Sequence, residues 1–170
     1  MDEQKTVVYM GNKQAGCIGL LTLLTMGYEI KCVVSYGALM SNMAQKFYIP
    51  IATSIKEEWV TELLGDIDFL ISCHGRQIVP PELLKLPRIA CMNIHPCLFK
   101  YKGTDPVNRM LEDKGKQASV GVHIMIEEVD MGEVLSEIFV DVAGKQTADE
   151  VYNELYPYYT FAIIEALRKL

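Results

Sequence analysis

With 170 residues, half of them apolar, the chain is long enough to bury one substantial core and short for two, so a single domain over 1–170 is expected. A formal net charge of −6 argues against a phosphate-backbone binder, so nucleic acid is not an expected partner. No run approaches the roughly 18 to 20 apolar residues of a membrane span, and the opening MDEQKT lacks the apolar core of a secretion signal, which together predict a cytoplasmic protein without a membrane partner.

Thr6 to Met10 (TVVYM) reads as a buried first strand, followed by a loop through Gly11 and Gly16 and a helix to about Met26. Glu29 to Ser35 is the second strand, then a helix near Leu39 to Phe47, a short strand Pro50 to Ala52, a helix Lys56 to Leu64 and a fourth strand Asp66 to Ser72. This alternation is the signature of a Rossmann-like α/β fold, a mostly parallel sheet with helices on both faces. Pro80-Pro81 opens a short helix, Ile89 to Ile94 supplies another strand, and Asp105 is placed to cap a helix from Pro106 to about Lys114. Ser119 to Ile126 and Val134 to Val142 are close enough to pair as a hairpin, which makes the C-terminal part of the sheet mixed. Thr147 and Glu150 have the spacing of a capping box for a terminal helix that Pro157 is expected to kink.

In open α/β sheets, ligands bind beyond the carboxyl ends of the parallel strands. Three segments meet there: Gly11 to Gly16, Cys73 to Gln77, and the chain from Asn93 onward. Asn93 and His95 stand two apart, so on an extended strand they face one side. An amide donor beside an imidazole can polarise a carbonyl, although a turn residue beside a core histidine has the same spacing. Asp130, in the turn Glu127-Glu128-Val129-Asp130-Met131-Gly132, could fold back to orient His95 and accept a proton, or be a plain turn residue. His123, inside an alternating strand, reads as structural. The five cysteines form no Cys-x-x-Cys pair, and His74, His95, His123 and Asp130 fit no compact ligand spacing, so neither a disulfide framework nor a metal is expected.

The runs IACMNIHPCLFKYKG (Ile89 to Gly103) and VHIMIEEVDMGEVL (Val122 to Leu135) resemble the catalytic core of the 10-formyltetrahydrofolate-dependent formyltransferase family. That family, which includes sugar N-formyltransferases and the N-terminal domains of methionyl-tRNA formyltransferases, carries an Asn-x-His pair at a strand end and a Tyr-Lys/Arg-Gly loop. An Asp in a Val-Asp-x-Gly turn completes its site. The resemblance continues upstream through ISCHGRQIVPPELLKLP and implies that Asn93, His95 and Asp130 are catalytic, with 10-formyltetrahydrofolate as formyl donor. It further implies a folate wall made by Cys73, His74, Gly75, Arg76, Gln77 and Ile78 with Glu127, Glu128 and Val129. The acceptor is expected near Gly11, Asn12, Lys100, Tyr101, Lys102 and Gly103; the cluster Lys100, Tyr101, Lys102 and Arg109 either holds an acceptor phosphate or is a solvated surface run.

The loop CLFKYKG is one residue shorter than the family's commoner pattern and lacks its second proline, and Ile126 stands where an Asp is usual. GNKQAG lacks the Gly-Ser-Gly-Ser-Asn-like cradle of glycinamide ribonucleotide transformylases, and no segment after residue 170 matches the part of the methionyl-tRNA enzymes that recognises initiator tRNA. The expected acceptor is therefore a small primary amine, such as an amino group on a nucleotide-linked sugar. The alternatives are phosphoribosylglycinamide formylation, hydrolysis of the donor, or a non-catalytic folate- or nucleotide-binding module. A homodimer paired through Tyr152, Leu155, Tyr159 and Ile163 of the terminal helix is left open.

Overall fold

The computed structural model describes residues 4–170; Met1–Glu3, half of the polar opening, lie outside the described residues. Seven strands form one sheet in the order β3-β2-β1-β4-β5-β6-β7. They are β1 (Thr6–Gly11), β2 (Glu29–Ser35), β3 (Ile51–Ala52), β4 (Phe69–Cys73), β5 (Ala90–Pro96), β6 (Gln117–Ile124) and β7 (Val134–Asp141). The first five are parallel, and β6 and β7 run antiparallel, the hairpin expected from their closeness in sequence.

Helices cover both faces: α1 (Lys13–Thr25), α2 (Ala38–Lys46), α3 (Glu58–Leu64), α4 (Pro81–Leu84), α5 (Pro106–Glu112) and α6 (Ala148–Leu167). The period of two in β1 divides the core. Val7 and Tyr9 join the cluster that contains Leu20 and Leu23 of α1 and Leu155 and Tyr159 of α6. Val8 and Met10 join the other, with Val60 and Leu64 of α3 and Leu83 of α4. A continuous apolar run such as VVYM thus serves two faces at once, which is why no alternation is visible in it.

Three readings need correction. No loop runs from Gly11 to Gly16, because α1 begins at Lys13. Asp105 precedes α5 in a left-handed conformation (φ 52°) and makes no side-chain cap; its carboxylate instead accepts from Asn108 Nδ2 at 2.8 Å. Leu155, Tyr159 and Ile163 are spent inside the chain, where α6 packs on α1, β6 and β7, so they form no outward pairing face. The capping box of α6 is present, Thr147 Oγ1 accepting from the Glu150 amide while Glu150 Oε2 accepts from the Thr147 amide. Among the described residues, no helix is long and apolar enough to cross a membrane.

The chain leaves β1 toward β2 on one side and later returns to β4 on the other, so a crevice opens beyond Gly11, Cys73 and Pro96, the carboxyl ends of β1, β4 and β5.

Candidate active site

A cavity of about 470 Å³ fills that crevice. At its centre β5 presents Asn93 and His95, two residues apart on one face, and the turn after β6 brings Asp130 back over them. Gly132 makes this return possible: a Cβ there would fall 1.8 Å from the Ile124 carbonyl oxygen.

Asp130 organises the site. Its Oδ2 lies 3.1 Å from His95 Nε2 and accepts the Gly103 amide at 2.8 Å. Oδ1 lies 3.1 Å from His123 Nε2 and accepts from Asn93 Nδ2 at 3.3 Å. Burial alone would raise the Asp130 pKa, but the His123 and His95 hydrogen bonds, the His95 charge and the Gly103 amide outweigh it, holding the carboxyl well below the usual carboxylate range.

His95 faces acceptors at both nitrogens. Nδ1 meets the Pro96 carbonyl at 2.7 Å, and Nε2 meets the Gly103 carbonyl at 3.0 Å as well as Asp130. Only an imidazolium can donate to all of them. Burial pushes its pKa down, yet the Asp130 bond and charge, with the two carbonyls, hold it above the ordinary value.

The cavity borders both core clusters, and we distinguish two lobes of its wall on that ground. His74 lies against Tyr152 and Tyr159, on the face covered by α1 and α6. Val79, Leu84 and Met125 pack on the α3 and α4 core, and the lining also includes the apolar side chains of Ile78, Ile126 and Val129. Non-glycine residues with positive φ cluster on the walls: Lys13, His74, Asp105 and Asp130. Such strain persists only where surrounding structure enforces it, and it gathers at functional sites.

Of the residues singled out from sequence, Asn93, His95, Asp130, His74, Gly75, Arg76, Gln77, Ile78, Val129, Asn12 and Gly103 line the cavity. Gln77 is also a latch: Oε1 accepts from the Ile55 amide and the Tyr36 hydroxyl, and Nε2 donates to Ser54 Oγ.

The others lie off the wall. Cys73 turns into the core, where Sγ donates to the Ala15 carbonyl at 3.4 Å and burial pushes the thiol up to about 12. Gly11 is buried within the sheet, between Ser35 and Cys73. Glu127 and Glu128 are exposed beyond the rim. Lys100 Nζ and the Tyr101 hydroxyl both donate to Asp113 at 2.9 Å. Lys102 Nζ rests against Met131 Sδ, and Arg109 donates to the Lys102 carbonyl, so the basic run is turned away from the cavity.

Sequence reasoning missed the role of His123, and also missed Lys13, Thr104, Pro106, Met125 and Tyr152. His123 enters the site through the antiparallel pairing of β5 with β6, which sets it directly opposite Asn93 so that both side chains share one face. Among the described residues, no group of three or more His, Cys, Asp or Glu could hold a metal ion.

Residues 52–167 match the family model described as formyl transferase. A methionyl-tRNA formyltransferase from Lactobacillus delbrueckii subsp. bulgaricus is 27% identical over an alignment that covers 97% of this chain and 58% of that protein. The chain thus spans little more than half the length of this relative. Among solved structures, phosphoribosylglycinamide formyltransferase from Bacillus halodurans superposes with a TM-score of 0.82 at 19% identity, covering 97% of this chain and 94% of the other. A formyltetrahydrofolate deformylase from Pseudomonas syringae pv. tomato superposes equally well, with a TM-score of 0.82 at 22% identity over 98% of this chain and 61% of the other. At these identities the solved structures speak for the fold.

Proposed function

The chain belongs to the formyl transferase family, and on that footing we propose that it moves a formyl group from 10-formyltetrahydrofolate to the primary amine of a small acceptor, such as an amino group on a nucleotide-linked sugar. The carrying observation is the Asp130 carboxylate held between His95 and His123, beside Asn93, where the two lobes meet. The second lobe suits the donor: Leu84, Met125, Ile126 and Val129 offer an apolar slot for a flat pterin, and Gly75 to Ile78 offer backbone groups at its edge.

The donor supplies an electrophilic formyl carbon, which the amine nitrogen attacks. Imidazolium His95 and the Asn93 amide stabilise the formyl oxygen as negative charge develops there. Asp130 enters the reaction ionised, so it maintains the His95 proton and steadies the positive charge growing on the attacking nitrogen. As the carbon–nitrogen bond to the donor breaks, the proton released by the amine replaces it on the donor nitrogen, with Asp130 as transient acceptor, directly or through a water.

A net charge of −6 and the engagement of Lys100 and Arg109 with protein groups favour a small acceptor over tRNA. The absence of a glycine-rich cradle, with α1 starting at Lys13, disfavours phosphoribosylglycinamide. Hydrolysis is the nearest competitor, since a water could take the place of the amine. A screen of amines against 10-formyltetrahydrofolate, read by tetrahydrofolate release and by mass of the formylated amine, separates these readings. Amine-dependent release supports transfer, and formate release at one rate with or without amines overturns it. A non-catalytic folate-binding module would give neither.

A further inference from the structure

We propose that His74 is a neutral hydrogen-bond donor that selects amine acceptors carrying an oxygen lone pair; this deepens the formyl-transfer reading and rests on it. His74 follows β4 directly, held left-handed at φ 58°. The chain divides there: Gly75 to Val79 continue along the apolar lobe, while the His74 ring turns the other way, edge-on to Tyr152 of α6 at 5.7 Å between ring centres. Lys13 and His95 are near enough for their charges to act on it. His74 therefore stands in the lobe opposite the pterin slot, beside the group assigned to the reacting carbonyl.

One ring nitrogen is committed. Nε2 lies 2.7 Å from the Tyr159 hydroxyl, which is fully buried and has no other hydrogen-bond partner among the described residues. If Nε2 carried the proton and donated, the Tyr159 hydroxyl hydrogen would be left buried and unpaired, at a cost of about 1–3 kcal/mol. The hydroxyl therefore donates, Nε2 accepts, and the single ring proton sits on Nδ1. Nδ1 has no partner among the described residues, and it is not among the side-chain atoms sealed from solvent without one. Nδ1 thus keeps access to solvent in a residue that lines the cavity, and we take that edge as the one an acceptor meets. Burial, and then the charges of Lys13 and His95, push the pKa of His74 down to about 4, so near neutral pH it offers one uncharged N–H.

An uncharged donor discriminates by whether it is matched. An acceptor amine with a hydroxyl or phosphate oxygen there satisfies Nδ1–H, whereas an apolar amine strips its water and leaves it bare. Lys13 also lines the cavity, close enough for its charge to act on His74, which favours phosphate among the oxygen sources.

The test compares 2-amino-2-deoxyglucose, its 6-phosphate and cyclohexylamine as acceptors with wild type, His74→Phe and His74→Asn. Phe keeps the aromatic ring without a donor, and Asn restores a donor near the Nδ1 position while tolerating the left-handed backbone. We expect His74→Phe to lower kcat/KM about tenfold for the two amino sugars and to leave cyclohexylamine within about twofold, with Asn recovering most of the loss. Equal losses on all three amines, or none, would overturn the assignment. Nitrogen-15 NMR of the histidine rings reads the tautomer independently of turnover: a proton on Nδ1 at pH 7 supports the proposal, and one on Nε2 sinks it. If wild type formylates no amine, the reaction assignment fails, and the tautomer still decides the role of His74.

Discussion

His123 Nε2 stands 3.1 Å from Asp130 Oδ1, so the carboxylate that serves His95 through one oxygen is pinned by a second imidazole through the other. His123 itself is almost fully buried and bonds the Ile124 carbonyl through Nδ1. On the proposed mechanism it would act through Asp130. Replacing it with Gln should leave folding largely intact while freeing the carboxylate to rotate. Loss of a charge-assisted bond worth about 1.5–3 kcal/mol predicts a kcat lower by about 10- to 100-fold, with the KM for the donor little changed. Steady-state kinetics check this; an unchanged kcat would remove His123 from the positioning set.

The pair His95 and Asp130 fixes a pH dependence. The His95 pKa is raised, so its protonated form should persist above the ordinary histidine range, and kcat/KM should fall on the alkaline side as that proton leaves. Asp130→Asn removes the bond and charge that do most to oppose burial, leaving only the Gly103 and Pro96 carbonyls against it. The alkaline limb should move to lower pH, and kcat should drop by roughly 100-fold or more. A pH-rate profile of both proteins measures the limb. A limb that stays in place would show that something other than this pair sets the His95 proton.

Strand existence was legible because the apolar run TVVYM ends at Gly11 and EIKCVVS lies between Gly27 and Gly37, and β2 occupies the predicted Glu29–Ser35. The site was legible only along the chain. Asn93 and His95 share a strand and declare their common face by parity, but the contact between His123 and Asn93 depends on the β5–β6 register, which local patterning does not encode. The basic run Lys100 to Arg109 misleads for the same reason: Asp113, which ties up Lys100, comes near only once α5 folds. Nor does sequence announce left-handed backbone at Lys13, His74 or Asp130, where glycine would be the ordinary choice.

His74 also predicts a change in stability with pH. Its pKa is depressed to about 4, so the unfolded chain binds the proton more readily than the folded one. The stabilisation is fully present above the unfolded value near 6.5 and is lost as pH falls from there toward 4. With some cavity water at the ring edge, the loss should amount to about 2 kcal/mol. Urea unfolding between pH 7 and pH 4 should show this slope in wild type and a shallower one in His74→Phe. Parallel slopes would mean the ring titrates freely when folded.

The donor slot can be tested apart from the chemistry. Met125 and Val129 line the apolar lobe without touching the Asp130 carboxylate through any hydrogen bond. Truncating Met125 to Ala removes about three buried heavy atoms from a pterin-sized wall, and each buried methylene is worth about 0.8 kcal/mol. The KM for 10-formyltetrahydrofolate should rise about 10-fold or more, with kcat within a few-fold. A variant with lowered kcat and unchanged donor KM would place the donor elsewhere.

Gly132 gives the sharpest steric prediction. Its missing Cβ is what lets the turn close against β6, since a methyl group would lie 1.8 Å from the Ile124 oxygen and 2.9 Å from the Ile124 carbonyl carbon. Both are backbone atoms, and the neighbouring Ile124 amide already donates to the Glu133 carbonyl at 2.9 Å, so neither side can yield cheaply. Gly132→Ala should therefore open the turn, swing Asp130 off His95 and His123, and cost about 2–4 kcal/mol of stability. The catalytic loss should resemble that of Asp130→Asn, because the carboxylate remains in the chain but no longer reaches its partners. Gly144→Ala is the control: its φ of 84° strains any side chain, yet a Cβ there meets nothing within 4 Å and lies far along the chain from the site. It should lose some stability and keep its kcat, which separates general strain from displacement of Asp130.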